Sequence, residues 1–374
     1  MLPITCCIII LYFFLIGSFV YGFNKVDIFK ITETQNNTLF SIIIPFRNEA
    51  DNLPDLLESI LNLNYTKANF ECIFVNDDSC DNSVKIIENH LQNSNINFKV
   101  IDNARVSNSP KKDAITTAVK EAKNSWIITT DADCILPANW LSCFNSFIKT
   151  HNTACIVAPV TYKNVSGFLE QFQLLDFLSL QGTTMGSFGI NKPFMCNGAN
   201  FAYTKKLFNK LNGFNGNETI ASGDDVFFLE KVAKNHPKKL HYLKSEHAIV
   251  CTKAQASFKS LIYQRLRWAS KASAYKHWFG KLTGVIVLLT NSLLLVLAIL
   301  FLLNITNFKL LLGFAILKFI IDFILLHKAT HFFNQKHSLK YYGLAFLCYP
   351  FFSVFIVFIS VFKTYKWKDR HFKK

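Results

Sequence analysis

The stretch Trp126-Ile127-Ile128-Thr129-Thr130-Asp131-Ala132-Asp133 joins an apolar, β-branched run to two acids one residue apart. A run this short, bounded by polar residues, reads as a buried strand rather than a helix. The same grammar recurs upstream. Leu39-Phe40-Ser41-Ile42-Ile43-Ile44 ends at Pro45, and Cys72-Ile73-Phe74-Val75 and Phe98-Lys99-Val100-Ile101 are two further runs. Helical spacing separates them. Leu53, Leu56, Leu57, Ile60 and Leu61 fall on one face, with Asn52 and Pro54 suited to the first turn. Residues 83–92 and 111–123 supply two more helices. This alternation predicts an α/β domain over 24–255 with a mainly parallel sheet covered on both faces. Ligands of such sheets bind beyond the carboxyl ends of the strands.

That location gives the acids their weight. Asp131 and Asp133 follow the fourth strand, and Asp77 and Asp78 follow the second. A D-x-D triplet alone occurs about once by chance in a chain of this size. Two acids on one turn can offer oxygens to Mg²⁺ or Mn²⁺ while leaving room for phosphate. Strand-end aspartates more often cap solvated turns; two acidic ends in one sheet favour a ligand site. Lys111 and Lys112 open the helix before the fourth strand, where a lysine can meet a phosphate or remain an exposed basic turn. Gly223-Asp224-Asp225 precedes an apolar helical run, so its carboxylates either cap that helix or act as a base. Gln264-Arg265-Leu266-Arg267-Trp268 lies in a basic amphipathic stretch. There Gln264, Arg267, Trp268 and Lys271 share a helical face and Arg265 points elsewhere. Such a face suits sugar and phosphate, or a membrane interface with snorkelling arginines.

Composition places part of the chain in lipid. Of 374 residues, 51% are hydrophobic and 17% charged, against about 25% charged in a soluble domain. The net charge is +15. No helix-turn-helix, zinc-finger or RNP pattern accompanies it, so nucleic acid is not the expected partner; an anionic bilayer or substrate is. The ten cysteines show no C-x-x-C and read as buried free thiols. Residues 4–23 carry no charge and match the roughly 20 residues a spanning helix needs. No positive charge precedes them, so they read as an uncleaved anchor (1–23) rather than a signal peptide. Lys25 and Lys30 follow, which places the next domain in the cytoplasm. Three later runs, 283–303, 308–327 and 341–362, form a membrane region (281–362) after an amphipathic interface helix (256–280). The 331–340 connection and the 363–374 tail are basic and favour the cytoplasm. Three full spans would put the tail outside. One of them, the run containing Gly343 and Pro350, is therefore expected to be re-entrant or interfacial.

Seven short motifs in order resemble the family 2 glycosyltransferases of GT-A fold. They are Ile44-Pro45-Phe46-Arg47-Asn48-Glu49, Asn76-Asp77-Asp78-Ser79, Lys111-Lys112-Asp113-Ala114, Asp131-Ala132-Asp133, Cys196-Asn197-Gly198-Ala199-Asn200, Gly223-Asp224-Asp225 and Gln264 through Trp268. The resemblance covers about 39–270 and is nearest to membrane-integrated members related to cellulose, chitin and hyaluronan synthases and ceramide glucosyltransferases. It implies an inverting transfer from a nucleotide sugar, a UDP-sugar first, to a lipid, lipid-linked or growing glycan acceptor, by a monomer or an oligomer. Glu49, Asp77, Asp78, Lys111, Lys112 and Asp131 would bind the donor. Asp131 and Asp133 would hold Mg²⁺ or Mn²⁺. Asn197, Gly198, Asn200, Asp224, Gln264, Arg267 and Trp268 would face the acceptor and diphosphate. Asp225 would be the general base. Trp367 and Arg370 loosely match a basic tail motif of some members. A bacterial inner (plasma) membrane location follows from the same resemblance.

Two other classes compete. An inactive membrane scaffold or transporter subunit would usually have lost one of Asp131, Asp133, Asp225 and Arg267, all present here. A nucleotidyltransferase also uses an acidic metal site but does not account for Asp225 followed by the Gln264–Trp268 motif.

Overall fold

A computed structural model describes residues 2–32, 35–217, 220, 222–271 and 274–362, and the backbone alone of 365–367 and 370–372. The chain opens with helix α1 (Leu2–Lys25). The α/β domain follows: β1 (Phe40–Phe46), α2 (Leu53–Leu61), β2 (Phe70–Asn76), α3 (Ser83–Leu91), β3 (Asn97–Asp102), α4 (Pro110–Glu121) and β4 (Trp126–Thr129). Ile42, Ile43 and Ile44 are wholly buried, as a strand covered on both faces requires, and α2 buries Leu53, Leu56, Leu57 and Ile60. These four strands pair in parallel in the order β3-β2-β1-β4.

Beyond β4 the sheet continues through elements the periodicity does not announce. They are α5 (Trp140–Thr150), β5 (Cys155–Val157), β6 (Val160–Tyr162), α6 (Gly167–Gly189), β7 (Phe201–Thr204), α7 (Lys205–Lys210), α8 (Asp224–Asn235), β8 (Leu240–Tyr242) and β9 (Val250–Thr252). β7 pairs antiparallel with β4 and β5, and β8 parallel with β5, giving a seven-stranded, mainly parallel sheet. β6 and β9 form a separate parallel pair.

α9 (Phe258–Ser270) leads into α10 (Trp278–Leu302), α11 (Phe308–Phe332) and α12 (Tyr342–Phe362), and a small hairpin, β10 (Tyr365–Trp367) with β11 (Arg370–Phe372), ends the described chain. Among the described residues, four helices, one at the N-terminal end and three at the C-terminal end, are long and apolar enough to cross a membrane. α12 is one continuous helix despite Pro350. Its Phe352 ring lies 5.2 Å from Phe172 of α6 and 6.3 Å from Phe258 of α9, and β10 runs alongside α9. The side chains of Trp367 and Arg370 lie outside the described residues.

Helix α6 binds the two halves together. Gly186 and Gly189 of α6 meet Phe19 and Gly22 of α1 backbone to backbone: a Cβ on Gly186 would stand 2.7 Å from Phe19 Cα, and one on Gly189 2.7 Å from Gly22 Cα. Small residues permit this approach. The Lys244 ammonium, between β8 and β9, donates to the carbonyls of Phe23 (2.7 Å) and Val26 (3.0 Å), closing the end of α1 onto the sheet domain. Gln335 does the same after α11, donating to Tyr162 O and accepting from Thr161 Oγ1, each at 2.8 Å. The expectation of buried thiols needs correction at Cys6, Cys7 and Cys80, which are exposed; the first two lie on the outward side of α1.

Candidate active site

The carboxyl ends of β1, β2 and β4 open onto a cavity of about 440 Å³. Pro45, Glu49, Asp77, Lys111, Asp131 and Asp133 line it from the sheet side, and Tyr263, Gln264 and Arg267 of α9 close it from the other. Strand ends and α9, far apart in sequence, thus share one chamber.

At the β2 end, Asp77 is buried. Its Oδ1 accepts from Arg105 Nε at 2.7 Å and Asn103 Nδ2 at 2.8 Å. Asp78 adopts a left-handed φ of 64° and stays exposed. Arg47 Nη1 donates to the carbonyls of Asp77 (2.7 Å) and Asp78 (2.6 Å) and to Asp78 Oδ2 (3.2 Å). Arg105 Nη2 also reaches Asp78 Oδ2 at 3.3 Å. Hydrogen bonds from Arg47 and Arg105 hold the Asp78 carboxyl below the usual range. Arg47, Asn103 and Arg105 were not singled out from sequence. Arg47 was within reach, inside the Pro45–Glu49 motif; Arg105 sits in a polar loop with no periodicity to mark it. Glu49 is buried at the cavity edge and accepts from Asn52 Nδ2 at 2.7 Å.

Lys111 is the hub. Its Nζ donates to Asp131 Oδ1 at 2.6 Å and stands 3.7 Å from Asp224 Oδ2. Burial alone would lower its affinity for the proton; Asp131 and Asp224 reverse that and raise it. Behind it, Asp225 caps the turn of the Asn197–Gly198 loop, accepting from Gly198 N at 3.0 Å and Val226 N at 2.7 Å. Lys271 Nζ lies 3.6 Å from its Oδ1. Burial raises Asp224, whereas for Asp225 the Lys271 and Lys111 ammoniums overcome burial and hold the carboxyl low. Neighbouring acids pushed in opposite directions are a feature of acid–base sites. Asp225, Gly198 and Trp268 do not line the 440 Å³ cavity; Gly198 and Asp225 sit behind Lys111, and Trp268 packs against Arg265 and Phe177.

Two expected site residues are placed elsewhere. Lys112 is 2% exposed and donates to the carbonyls of Asn217 and Ile220, both at 2.7 Å, over the Phe227 ring. One helical step turns it away from Lys111 and into the packing under α8. Asn200 is wholly buried. Its amide donates to Pro159 O (2.8 Å) and Ala248 O (2.7 Å), and its oxygen accepts from Trp140 Nε1 (3.0 Å). All its hydrogen-bonding capacity is spent inside the protein, so it shapes the loop without facing a ligand. Asn197 likewise accepts from Ala199 N at 3.0 Å.

On α9, Arg265 points into the protein and, contrary to the expected separation of faces, still reaches Gln264 and Trp268. Its Nη2 lies 2.7 Å from Asp176 Oδ2 of α6 and its Nε 2.9 Å from the same oxygen. Its guanidinium stacks 4.2 Å over Trp268, and Nη1 donates to Gln264 Oε1 at 2.5 Å. Both partners of the ion pair are 7% exposed. The pair therefore fixes the rotation of α9. Arg265→Met should cost about 3–5 kcal/mol by stranding a buried carboxylate. Adding Asp176→Leu should restore most of that loss, read as thermal unfolding of the detergent-solubilised protein.

Asp131 and Asp133 fit a divalent cation in a particular way. Among the described residues no three His, Cys, Asp or Glu side chains gather as a complete metal cage. Two carboxylates beside an open polar cavity suit instead an ion that shares its coordination with phosphate oxygens and water.

Residues 41–211 match the model of glycosyl transferase family 2. The poly-beta-1,6-N-acetyl-D-glucosamine synthase of Staphylococcus epidermidis (strain RP62A) is 25% identical over 176 residues, 46% of this chain and 41% of that protein. The synthase of the same name from Staphylococcus aureus (strain MSSA476) is 25% identical over 173 residues, 46% and 40% of the two chains. The matched region spans about two-fifths of the length of these relatives. Among solved structures, the mannosyltransferase PcManGT from Pyrobaculum calidifontis, in complex with GDP-Man and Mn²⁺, superposes with a TM-score of 0.56 at 14% identity, covering 92% of this chain and 95% of that one. That likeness shows a shared GT-A fold. Residues 41–211 are thus similar to glycosyl transferase family 2 proteins, and the helices long and apolar enough to cross a membrane lie outside that segment.

Proposed function

We propose that this protein is an inverting glycosyltransferase that moves a sugar from a nucleotide-sugar donor to a membrane-associated acceptor. One observation carries the reading: Asp77 at the end of β2, Asp131 and Asp133 at the end of β4, Lys111, and Gln264 and Arg267 of α9 all converge on one cavity. Asp77, steadied by Asn103 and Arg105, offers a carboxylate for a nucleoside base. Lys111 and Arg267 supply cationic donors for a diphosphate. Asp131 and Asp133 would hold Mg²⁺ or Mn²⁺, which when bound offsets charge building on the leaving diphosphate. In this arrangement Asp225 takes the acceptor proton as the hydroxyl oxygen attacks the anomeric carbon and the diphosphate leaves, so the anomeric configuration inverts. Lys111 shifting from Asp131 to a phosphate would remove one of the ammoniums that weaken Asp225 as a base.

The curated relatives carry N-acetylglucosamine in their names, so a UDP-linked N-acetylhexosamine is the first donor to try, beside UDP-glucose and GDP-mannose. The purified full chain in phospholipid, with Mn²⁺ or Mg²⁺ and each donor, should release the nucleoside diphosphate and add sugar mass to lipid. Chelation with EDTA should cut turnover by about 10²–10³-fold, restored by added metal. Full activity in EDTA would remove the metal from the reaction; inertness toward every nucleotide sugar would overturn the reading. The sheet domain and the β10–β11 hairpin lie on one side of the membrane in this proposal, the cytoplasmic side, with α12 running along the interface helices.

A further inference from the structure

A second cavity, of about 650 Å³, opens between α1, α6, α10, α11 and α12. Its walls are aliphatic and aromatic, with Ile16, Leu175, Leu180, Leu288, Leu325 and Phe346 prominent. Exposed Lys281 also lines it, and the ionisable groups of α1 and α11 there satisfy one another. Lys318, 1% exposed, donates to Asp322 Oδ2 at 2.6 Å, and Tyr12 Oη donates to Asp322 Oδ1 at 2.6 Å. Asp176, at its edge, is held by Arg265. A glycan drawn into such walls would leave its hydroxyls without partners, whereas a hydrocarbon chain would lose nothing. The volume falls within the ordinary range of ligand cavities.

One end of this cavity reaches the active site. Met195 and Tyr275 line it. Met195 leads directly into the Cys196–Gly198 loop, whose Gly198 N–H binds Asp225. The Tyr275 ring lies 5.8 Å from that of Phe227, two residues beyond Asp225 on α8. Asp225 lines neither cavity; the loop after Met195 and the Tyr275–Phe227 contact bring this end of the apolar cavity toward it, away from the strand ends that line the polar one. The chemistry of a base also discriminates. A phosphate monoester is already an anionic nucleophile and needs no base, while a neutral hydroxyl must give up a proton, which Asp225 can take.

We propose that the 650 Å³ cavity takes a hydrocarbon chain of a neutral lipid alcohol and presents its hydroxyl to Asp225. The proposal rests on the glycosyltransferase reading and names its acceptor class. Gly284 of α10 offers a clean way to fill the space. It lines the cavity, and a Cβ there meets nothing within 4 Å. Gly313 of α11 has equally open surroundings but does not line the cavity, and serves as the control.

The test uses the full chain in phosphatidylcholine vesicles containing diacylglycerol with a photoreactive diazirine in one acyl chain. Labelling should concentrate on cavity peptides of α10 and α11, including Leu288 and Leu325, and excess unlabelled diacylglycerol should suppress it. Gly284→Phe, and independently Ser179→Leu on the α6 wall, should each reduce labelling and raise the KM for diacylglycerol at least about tenfold. Gly313→Phe should change neither. Labelling that is equal with diazirine-bearing phosphatidylcholine, or that falls on outward residues such as Leu289 without competition, would overturn the proposal. Faster transfer to a polyprenyl phosphate than to diacylglycerol would overturn the neutral head. Nucleotide-sugar hydrolysis measured in the same vesicles separates the two levels. Hydrolysis without competed labelling removes the lipid cavity and leaves sugar transfer standing; competed labelling without use of any nucleotide sugar supports the cavity and removes the transferase reading.

Discussion

Asp225→Asn is expected to lower sugar transfer by about 10²–10⁴-fold, the range of a lost general base. The replacement keeps the shape. An asparagine oxygen can still accept from Gly198 N or Val226 N, which hold the present carboxylate at 3.0 and 2.7 Å. What disappears is the ability to take a proton. Asp225 does not line the donor cavity, so the KM for the nucleotide sugar should stay within about twofold while kcat falls. The pH profile is a second check. Asp225 is held below the ordinary carboxylate range by Lys271 and Lys111 against the opposing effect of burial, so it is anionic at neutral pH. Activity that needs the anion is lost only as pH falls through that lowered value, so the acid limb of kcat/KM should lie at lower pH than an unperturbed aspartate would give. An Asn variant that turns over within about threefold of the wild type would take Asp225 out of the reaction.

The parts of this molecule that were legible in sequence are those whose physics is local. β1, β2 and β4 are short apolar runs, and their burial on both faces leaves no other reading. The acids at their ends were placed by counting from the last apolar residue. α6 was invisible for the opposite reason. It buries Gln171, Gln173, Asp176, Gln181 and Thr184 among leucines and phenylalanines, so no single apolar stripe marks it. Its partners come from α1, α9 and α11, contacts that no window along the chain contains. Lys112 and Asn200 show the limit of motif transfer. Lys112 lies beside Lys111 in sequence but one helical step away in space, and Asn200 ends the loop that Asn197 begins while facing inward. Lys271 sat on the face that carries Gln264 and Arg267, yet only the fold reveals that this face turns toward Asp225. The antiparallel insertion of β7 was equally out of reach, because three- and four-residue strands carry too little pattern to register.

Gly186→Leu is expected to be the most destructive single change outside the active site, costing more than about 4 kcal/mol and leaving little folded protein in the membrane. Most helix contacts yield when a side chain grows, because the neighbour's side chain can change rotamer. Here the neighbour is backbone. A Cβ on Gly186 would press on Phe19 Cα at 2.7 Å and Phe19 Cβ at 2.8 Å, and at the companion crossing a Cβ on Gly22 would stand 2.9 Å from the Gly186 carbonyl carbon. Neither helix can retreat cheaply. α1 is fastened at its end by Lys244, and α6 is pinned by the Asp176–Arg265 pair to α9. Pushing α6 outward would therefore either break that buried ion pair or carry α9, with Gln264 and Arg267, away from Asp131 across the cavity. The loss of fold and the loss of transfer should appear together, in membrane yield, in thermal unfolding of the detergent-solubilised fraction, and in donor turnover by whatever survives. Gly17→Leu provides the contrast, since it sits on the same α1 helix with nothing within 4 Å of its Cβ position. A bulky apolar residue facing lipid there should be accepted with little change. If Gly186→Leu behaved like Gly17→Leu, the close crossing of α1 and α6 would not be what holds the anchor to the catalytic domain.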